Sequence, residues 1–487
     1  MHPETHLFID GELVDAASGK TYANINPATE DVIGQVANAD TTDMDRAIGA
    51  ARRAFDTTDW STNHALRLRC IRQLYDGLRE VEESFKQQIA AETGAPLGIC
   101  GDMGPQCTLP ISFIEYTLEH LPKFQWSRDA GVSETMGIKS RRIVEKEAGG
   151  VVGCITPWNV PLQINLAKCI PALAAGCTVI LKPAPDTPWS ATLLGRIVKE
   201  KTDIPPGVFN VVTAEDPKAV GEQLVTDPRV DMISFTGSTA VGKHIMSLAA
   251  GTVKKVFLEL GGKSANILLE DADLNASLLS CLGVCFHAGQ GCAILTRLLV
   301  PRSRQQEVEE LLPSFFGFIE YGDPSSDSQI MGPLVNARQR ERVLGYIEKG
   351  KAEGARLLMG GGVPQHLDKG YYVEPTIFTD VTNDMAIARE EIFGPVLAVI
   401  PYDDEEEAIR IANDSAYGLS GGVWSSDEDR AMAVARRIRT GTVAVNGGIY
   451  YGADAPFGGY KQSGLGREMG PEGFEEYLET KTIAVSV

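Results

Sequence analysis

From residue 151 onward, short apolar runs alternate with stretches of helical periodicity, and this alternation most narrows the folds open to the chain. The runs lie at 151–155, 178–181, 208–212, 232–235 and 256–260. Strands separated by helical patterns predict a parallel sheet with crossover helices. Upstream, 42–55 and 64–93 carry apolar residues at three-to-four spacing, with Thr42 as a cap for the first, and these helices are expected to pack on the sheet. Beyond 261 the alternation resumes, with strands at 265–269, 297–300 and 396–400 and helical material through Val284. A chain of 487 residues accommodates two or three such units. The run 164–181, interrupted by Lys168 and Pro171, reads as a buried helix followed by a strand rather than a membrane span. Two segments fit neither α/β unit, the polar stretch 127–147 and the tail 470–487. The tail ends in an alternating strand whose edge is bare unless it pairs with another chain or lies against its own subunit.

The chemistry concentrates at the junction of the two units. Cys292, in Phe286-His-Ala-Gly-Gln-Gly-Cys292, follows Glu259 of Leu258-Glu-Leu-Gly-Gly-Lys263 by 33 positions. A thiolate attacks carbonyl carbon, and a carboxylate can deprotonate the water that later releases the acyl group. The other eight cysteines read as apolar filler, because the odd set contains no Cys-x-x-Cys pair and resembles neither a disulfide framework nor a zinc site. Cys281 and Cys285 lie one helical turn apart with only His287 nearby, which is short of a tetrahedral ligand set, so no metal is expected. The balance of 45 basic against 65 acidic residues repels nucleic acid and anionic lipid. The first ten residues lack the pattern of a signal peptide, so a cytoplasmic location is expected.

A parallel sheet and a cleft call for a nucleotide, yet no Gly-x-Gly-x-x-Gly occurs. The local alternative is Ile233-Ser-Phe-Thr-Gly-Ser-Thr-Ala-Val-Gly242, where a strand ends at Gly237 and a helix opens around Ser238, offering amides and a hydroxyl to phosphate. Lys182, at the end of its strand, either grips a ribose or is solvated.

Taken together, these residues resemble the aldehyde dehydrogenase superfamily across nearly the whole chain. The matching blocks run in order: Pro157-Trp-Asn159, Lys182-Pro-Ala184, Phe235-Thr-Gly-Ser238, Glu259-Leu-Gly-Gly262, Gly289-Gln-Gly-Cys292 and Glu390-Glu-Ile-Phe-Gly-Pro395. The resemblance implies a Rossmann-like NAD(P)-binding domain over 1–126 and 148–260, an α/β catalytic domain over 261–462, and a β oligomerisation arm with the C-terminal tail over 127–147 and 463–487. It implies a homodimer or homotetramer. By the same resemblance Cys292 is the nucleophile, Asn159 an oxyanion donor and Glu259 the base that sends the thioester to water, which favours a free carboxylic acid over transfer to coenzyme A. Coenzyme A acylation and a catalytically silent member are the competing readings. Lys182, Gly237, Ser238, Trp158, Glu391 and Phe393 are implied as cofactor contacts, and Lys168 and Glu468 as a proton relay or an ion pair.

Two departures from the family pattern matter. Pro185 stands where many NAD-preferring members carry a glutamate, so NAD is expected with NADP possible. Val160 and Ala167 stand where some relatives acting on small aldehydes are aromatic. Smaller side chains there point to a bulky apolar aldehyde.

Overall fold

A computed structural model describes residues 4–102, 104–326 and 329–487; the first three residues of the N-terminal stretch read above lie outside it. Five parallel strands form the centre of the first sheet, in spatial order Lys255–Glu259, Met232–Thr236, Val151–Ile155, Thr178–Lys182 and Phe209–Val211. Each is an almost unbroken apolar run because helices cover both faces, leaving no solvated side for polar alternation. Chain order runs outward in both directions from Val151–Ile155, so the sheet reverses its winding beside Met232–Thr236. At such a switch point the loops leaving adjacent strands diverge and open a crevice at the carboxyl ends.

The register places the expected site residues along that edge. Ile155 pairs with Lys182, and Thr236 with Glu259, so Trp158, Asn159, Lys182, Ser238 and Glu259 all emerge at the same end of the sheet. On the far side of Lys255–Glu259, the two-residue strand Gly464–Leu465 adds antiparallel, with Glu259 opposite Gly464. The second sheet has seven strands in the order Arg356–Met359, Thr376–Thr379, Val396–Tyr402, Arg297–Pro301, Ala265–Leu268, Gly421–Trp424 and Ala444–Val445, all parallel but the first.

The third sheet is antiparallel, in the order Leu478–Ser486, Ile138–Ala148 and Ser127–Thr135, and is largely exposed. The terminal strand therefore pairs along one edge with its own chain, from Leu478 opposite Ala148 to Ser486 opposite Ser140. Of the 463–487 tail, only this last part lies in the third sheet. Gly464–Leu465 lies in the first sheet, and the helix Gly470–Glu475 packs on the helix Pro161–Ala175.

Helix boundaries follow local chemistry. The helix His64–Thr93 starts where the Asn63 side chain accepts from Leu66 N at 3.0 Å and stops at Gly94, whose φ of 72° is left-handed. The helix Thr41–Thr57 is capped by Asp40, not Thr42: the Asp40 carboxylate accepts from Thr42 N at 2.7 Å, with Asp43 closing the reciprocal box. Past Leu274–Leu279 the expected helix tightens into a 3-10 segment that begins at Ser280 and breaks at Phe286, whose ψ of 121° is not helical.

Glu92 joins three of these elements from a fully buried position. Its Oε2 accepts from Asn24 Nδ2 at 3.1 Å and Trp189 N at 3.0 Å, and its Oε1 accepts from Ser190 N at 3.0 Å. The two amides open the helix Trp189–Lys201, where backbone donors otherwise lack partners. Burial outweighs these hydrogen bonds and pushes the carboxyl up to about 8. The folded state thus holds a proton that the unfolded chain releases above the ordinary carboxyl range. The stability this proton confers is present at low pH and is lost as pH rises through about 8. Glu92→Gln removes the titration, so thermal midpoints measured from pH 5 to pH 9 are expected to fall faster in the parent than in the variant. A constant difference between them would refute the assignment.

Candidate active site

The site lies where the carboxyl edge of the first sheet meets two loops of the second unit, and bare glycines permit the approach. A β-carbon at Gly262 would stand 2.4 Å from the Cys292 carbonyl oxygen, and one at Gly261 would stand 2.3 Å from Glu391 Oε2. Gly262 N donates to Glu391 Oε1 at 2.9 Å. The segment after Glu259 thus holds the Cys292 loop on one side and Glu391 on the other.

Cys292 is reached through an unusual turn. His287, Ala288 and Gly289 have φ of 49°, 54° and 75°, three successive left-handed residues. Gly289 lies against the Gly394 backbone, where a β-carbon would meet the carbonyl oxygen at 2.1 Å. Phe393 is itself left-handed, at φ 62°, and a bulky side chain in that region signals a backbone held by its surroundings. Burial raises the Cys292 thiol pKa, and the nearby Glu391, Glu259 and Glu468 carboxylates raise it further. The other eight cysteines are buried and, like Cys292, free of disulfides. Among the described residues no group of three or more His, Cys, Asp or Glu is placed to hold a metal ion.

Asn159 stands at the entrance to the helix Pro161–Ala175 and is buried. Its Nδ2 donates one hydrogen to Gln290 O at 2.9 Å, which aims the amide at the Cys292 loop and leaves its second hydrogen free for another acceptor. Gln106 Nε2 donates to Asn159 O at 2.8 Å, and Gln290 is itself fixed by Val335 N donating to its Oε1 at 2.9 Å. Gln106 lies in a loop with no motif around it, so only the fold brings it here.

Glu259 is 3% exposed, and neither carboxylate oxygen has a hydrogen-bond partner among the described residues. Burial raises its pKa well above the ordinary carboxyl value, and Glu468 adds to the effect against the opposing pull of Lys168 and Arg467. Behind it, the buried Lys168 Nζ donates to Glu468 Oε1 at 2.7 Å and to Ser234 Oγ at 3.1 Å, and sits 4.7 Å from the centre of the Phe257 ring. Ser234 Oγ lies 3.1 Å from the Tyr477 hydroxyl.

Of the expected cofactor residues, Trp158, Lys182 and Ser238 follow the carboxyl ends of strands in the first sheet, and Glu391 and Phe393 come from a loop of the second unit. Lys182 is buried rather than solvated; its Nζ donates only a long bond to Pro183 O at 3.3 Å, and burial lowers it to about 8. Ser238 caps the helix Thr239–Ala249, accepting from Val241 N at 3.4 Å, so that the amides of its first turn face the crevice. Trp158 and Phe393 meet edge to face, with ring centroids 5.4 Å apart. Glu391, raised to about 7 chiefly by burial, is held by Gly262 N, and Arg342 Nη2 donates to its carbonyl at 2.7 Å. Lys263 is also buried, with no partner for Nζ among the described residues. An unpaired lysine beside Glu391 carries no signature in sequence that separates it from a surface lysine.

The sequence pattern of the aldehyde dehydrogenase family matches residues 13–483. The chain belongs to the aldehyde dehydrogenase family. It is 46% identical over 486 residues to a 3-succinoylsemialdehyde-pyridine dehydrogenase from a Pseudomonas species, covering 99% of each chain. Aldehyde dehydrogenase C from Pseudomonas syringae, solved as a mutant with NAD+ and octanal, superposes with a TM-score of 0.92 at 41% identity, over 99% of this chain and 97% of that one. A Mycobacterium tuberculosis aldehyde dehydrogenase complexed with NAD+ superposes with a TM-score of 0.94 at 43% identity, over 98% and 97% of the two chains. The aldehyde dehydrogenase fold, a Rossmann-like unit facing a second α/β unit, is therefore that of this enzyme, an oxidoreductase acting on aldehydes.

Because Gly262 has no room for a methyl group, Gly262→Ala displaces the Cys292 backbone. Misplacing a reacting group by about 1 Å costs roughly 100-fold, and aldehyde-dependent turnover is expected to fall by about that factor. Turnover within about twofold of the parent would show that the contact does not position Cys292.

Proposed function

We propose that this enzyme oxidises an aldehyde to the free carboxylic acid with NAD, through an acyl group carried on Cys292. The observation that carries the proposal is the grouping of Cys292, whose backbone meets Gly262, with the half-free Asn159 amide bonded to the nearby Gln290 carbonyl and the unpartnered Glu259, whose charge reaches the thiol. The Cys292 sulfur attacks the carbonyl carbon, and the developing oxyanion takes the spare Asn159 hydrogen together with the Cys292 backbone N–H. Glu259, with its raised pKa, is a stronger base than an exposed carboxylate, which suits it to accept the thiol proton and later that of the hydrolytic water. Lys168 and Glu468 lie behind it as a path for that proton.

The crevice fits a dinucleotide. Lys182 is buried without a carboxylate partner and would hold the adenosine ribose; the Gly237–Ser238 turn and its helix amides would hold the pyrophosphate; Glu391 and Phe393 would hold the nicotinamide end, with Trp158 against Phe393. Bound NAD supplies the two-electron acceptor. Pro185 removes a glutamate that would repel an added phosphate, while Asp216 still acts on Lys182, so NAD is the favoured cofactor and NADP a second one.

For the substrate, Val160 and Ala167 leave the wall of the helix Pro161–Ala175 open, which supports a bulky aldehyde. Named relatives act on a pyridine-bearing semialdehyde or were crystallised with octanal, in keeping with a roomy pocket. The free outer edge of Leu478–Ser486, with Ile483 and Val485 exposed, supports assembly of a homodimer or homotetramer through the arm. No helix of the described residues is long and apolar enough to cross a membrane.

The base role is tested by Glu259→Gln. With water activation removed, mixing enzyme, NAD and aldehyde is expected to release one equivalent of NADH, more slowly than in the parent because Glu259 also takes the thiol proton, and then to stall. Continued turnover at the parent rate would refute hydrolysis by Glu259, and restoration of turnover by coenzyme A would favour the acylating alternative.

A further inference from the structure

A cavity of about 60 Å³ that opens to solvent is walled by the helices Ile114–His120 and Pro161–Ala175 and by the segment around Met469. Its walls are mainly apolar, with Phe113, Ile114, Leu121, Leu166, Ile170 and Phe474 among them. Gln163, Leu166, Ala167 and Ile170 line it at three-to-four spacing, so one face of the Pro161–Ala175 helix forms its floor. The next residue along that helix is Lys168, bonded to Glu468, and Met469 follows Glu468 into the cavity wall.

Tyr451 connects this cavity to the nucleophile. Its ring packs 5.9 Å from Phe113 and 5.6 Å from Phe457, and its hydroxyl lies close enough to Glu468 and Cys292 to feel both charges. A substrate whose aldehyde carbon reaches Cys292 therefore extends past Tyr451 toward Gln163 and His120.

Two polar atoms in this apolar wall lack partners. Gln163 is 3% exposed; its amide is hydrogen-bonded with the Tyr451 hydroxyl, but its Oε1 has no partner among the described residues. His120 is held by stacking on Tyr116 at 5.6 Å and edge contact with Phe474 at 5.5 Å, and its buried Nε2 is likewise unpartnered. Buried amide and imidazole groups are costly to leave unsatisfied, so a wall built only to hold hydrocarbon would not carry them. No charged side chain lines the cavity; Asp454 and Glu472, whose charges reach Tyr116, are exposed at its mouth.

We propose that the enzyme selects neutral aldehydes whose chain or ring carries a hydrogen-bond donor, a hydroxyl or an N–H, several atoms from the aldehyde carbon, seated on Gln163 Oε1 with His120 at the outer end. The open Gln163 atom is an acceptor, so a substrate hydroxyl or N–H satisfies it by donating, whereas an ion would lose its hydration against a wall that has no charged side chain. The inference rests on the aldehyde dehydrogenase reading above and narrows its substrate class.

The test compares kcat/KM, followed by NADH formation, for chain-matched pairs: nonanal against an aldehyde with a terminal hydroxyl, and phenylbutanal against its ring-hydroxylated counterpart. Betaine aldehyde and succinic semialdehyde serve as charged arms. One neutral hydrogen bond is expected to favour the polar member of a pair by about tenfold in the parent enzyme. In Gln163→Leu that ratio is expected to fall to about one, and in His120→Phe to fall partway. Because the ratio is read within each protein, partial loss of folded enzyme lowers both members and leaves it unmoved. Equal use of the two members by the parent, an unchanged ratio in Gln163→Leu, or faster oxidation of either charged aldehyde would overturn the proposal. Failure to form NADH from any of these aldehydes would instead overturn the dehydrogenase reading, and the substrate class with it.

Discussion

The close approach of backbone at Gly261 and Gly262 is the constraint on which the site depends. The first sheet delivers Glu259 to its carboxyl edge, and the second unit delivers Cys292 and Glu391 from separate loops. These meet only because two successive residues lack β-carbons where a carbonyl oxygen and a carboxylate press against the chain. The surrounding backbone is shaped to the same end. Left-handed conformations at His287, Ala288 and Phe393 cost free energy that the packing of both units must supply, which places local strain beside the reacting groups.

Burial then sets the electrostatics. Glu259 and Glu391 sit in a space that disfavours their charge, and Lys182 and Lys263 sit nearby with theirs disfavoured as well. Neither lysine is neutralised by a close carboxylate, although Lys168 is, through Glu468. Groups of this kind gain most from a ligand that brings the missing hydrogen bonds and charge. The same logic applies at lower stakes in the apolar cavity beside the Pro161–Ala175 helix, where Gln163 Oε1 and His120 Nε2 have no partner among the described residues.

Much of this was legible in the residues. The parallel strands announced themselves as short apolar runs because both faces are buried, and the helix at 64–93 kept its three-to-four spacing to both ends. Cys292 and Glu259 stood out through their glycine-rich flanks, and those glycines proved to be contact points. Less visible was whatever depends on distant neighbours. The cap at Asp40 lay outside the apolar pattern used to place the first helix. Lys182 reads as a solvated strand end until the helices around it are in place. Glu92, Gln106 and Gln163 belong to no motif, since each is a single polar residue whose meaning comes from amides, carbonyls or cavities brought up by other elements. The arm was legible as polar strand, but not how far the tail remains in the body before joining it.

The central claim is that the acyl group passes through Cys292 alone among nine free cysteines. Its most direct test is to quench the enzyme during turnover of an aldehyde with NAD and map the covalent adduct by peptide mass spectrometry. An increment equal to the acyl group, confined to the peptide containing Cys292 and absent without NAD, is the expected result. Turnover with no acyl adduct on Cys292, or with the adduct on another residue, would contradict it.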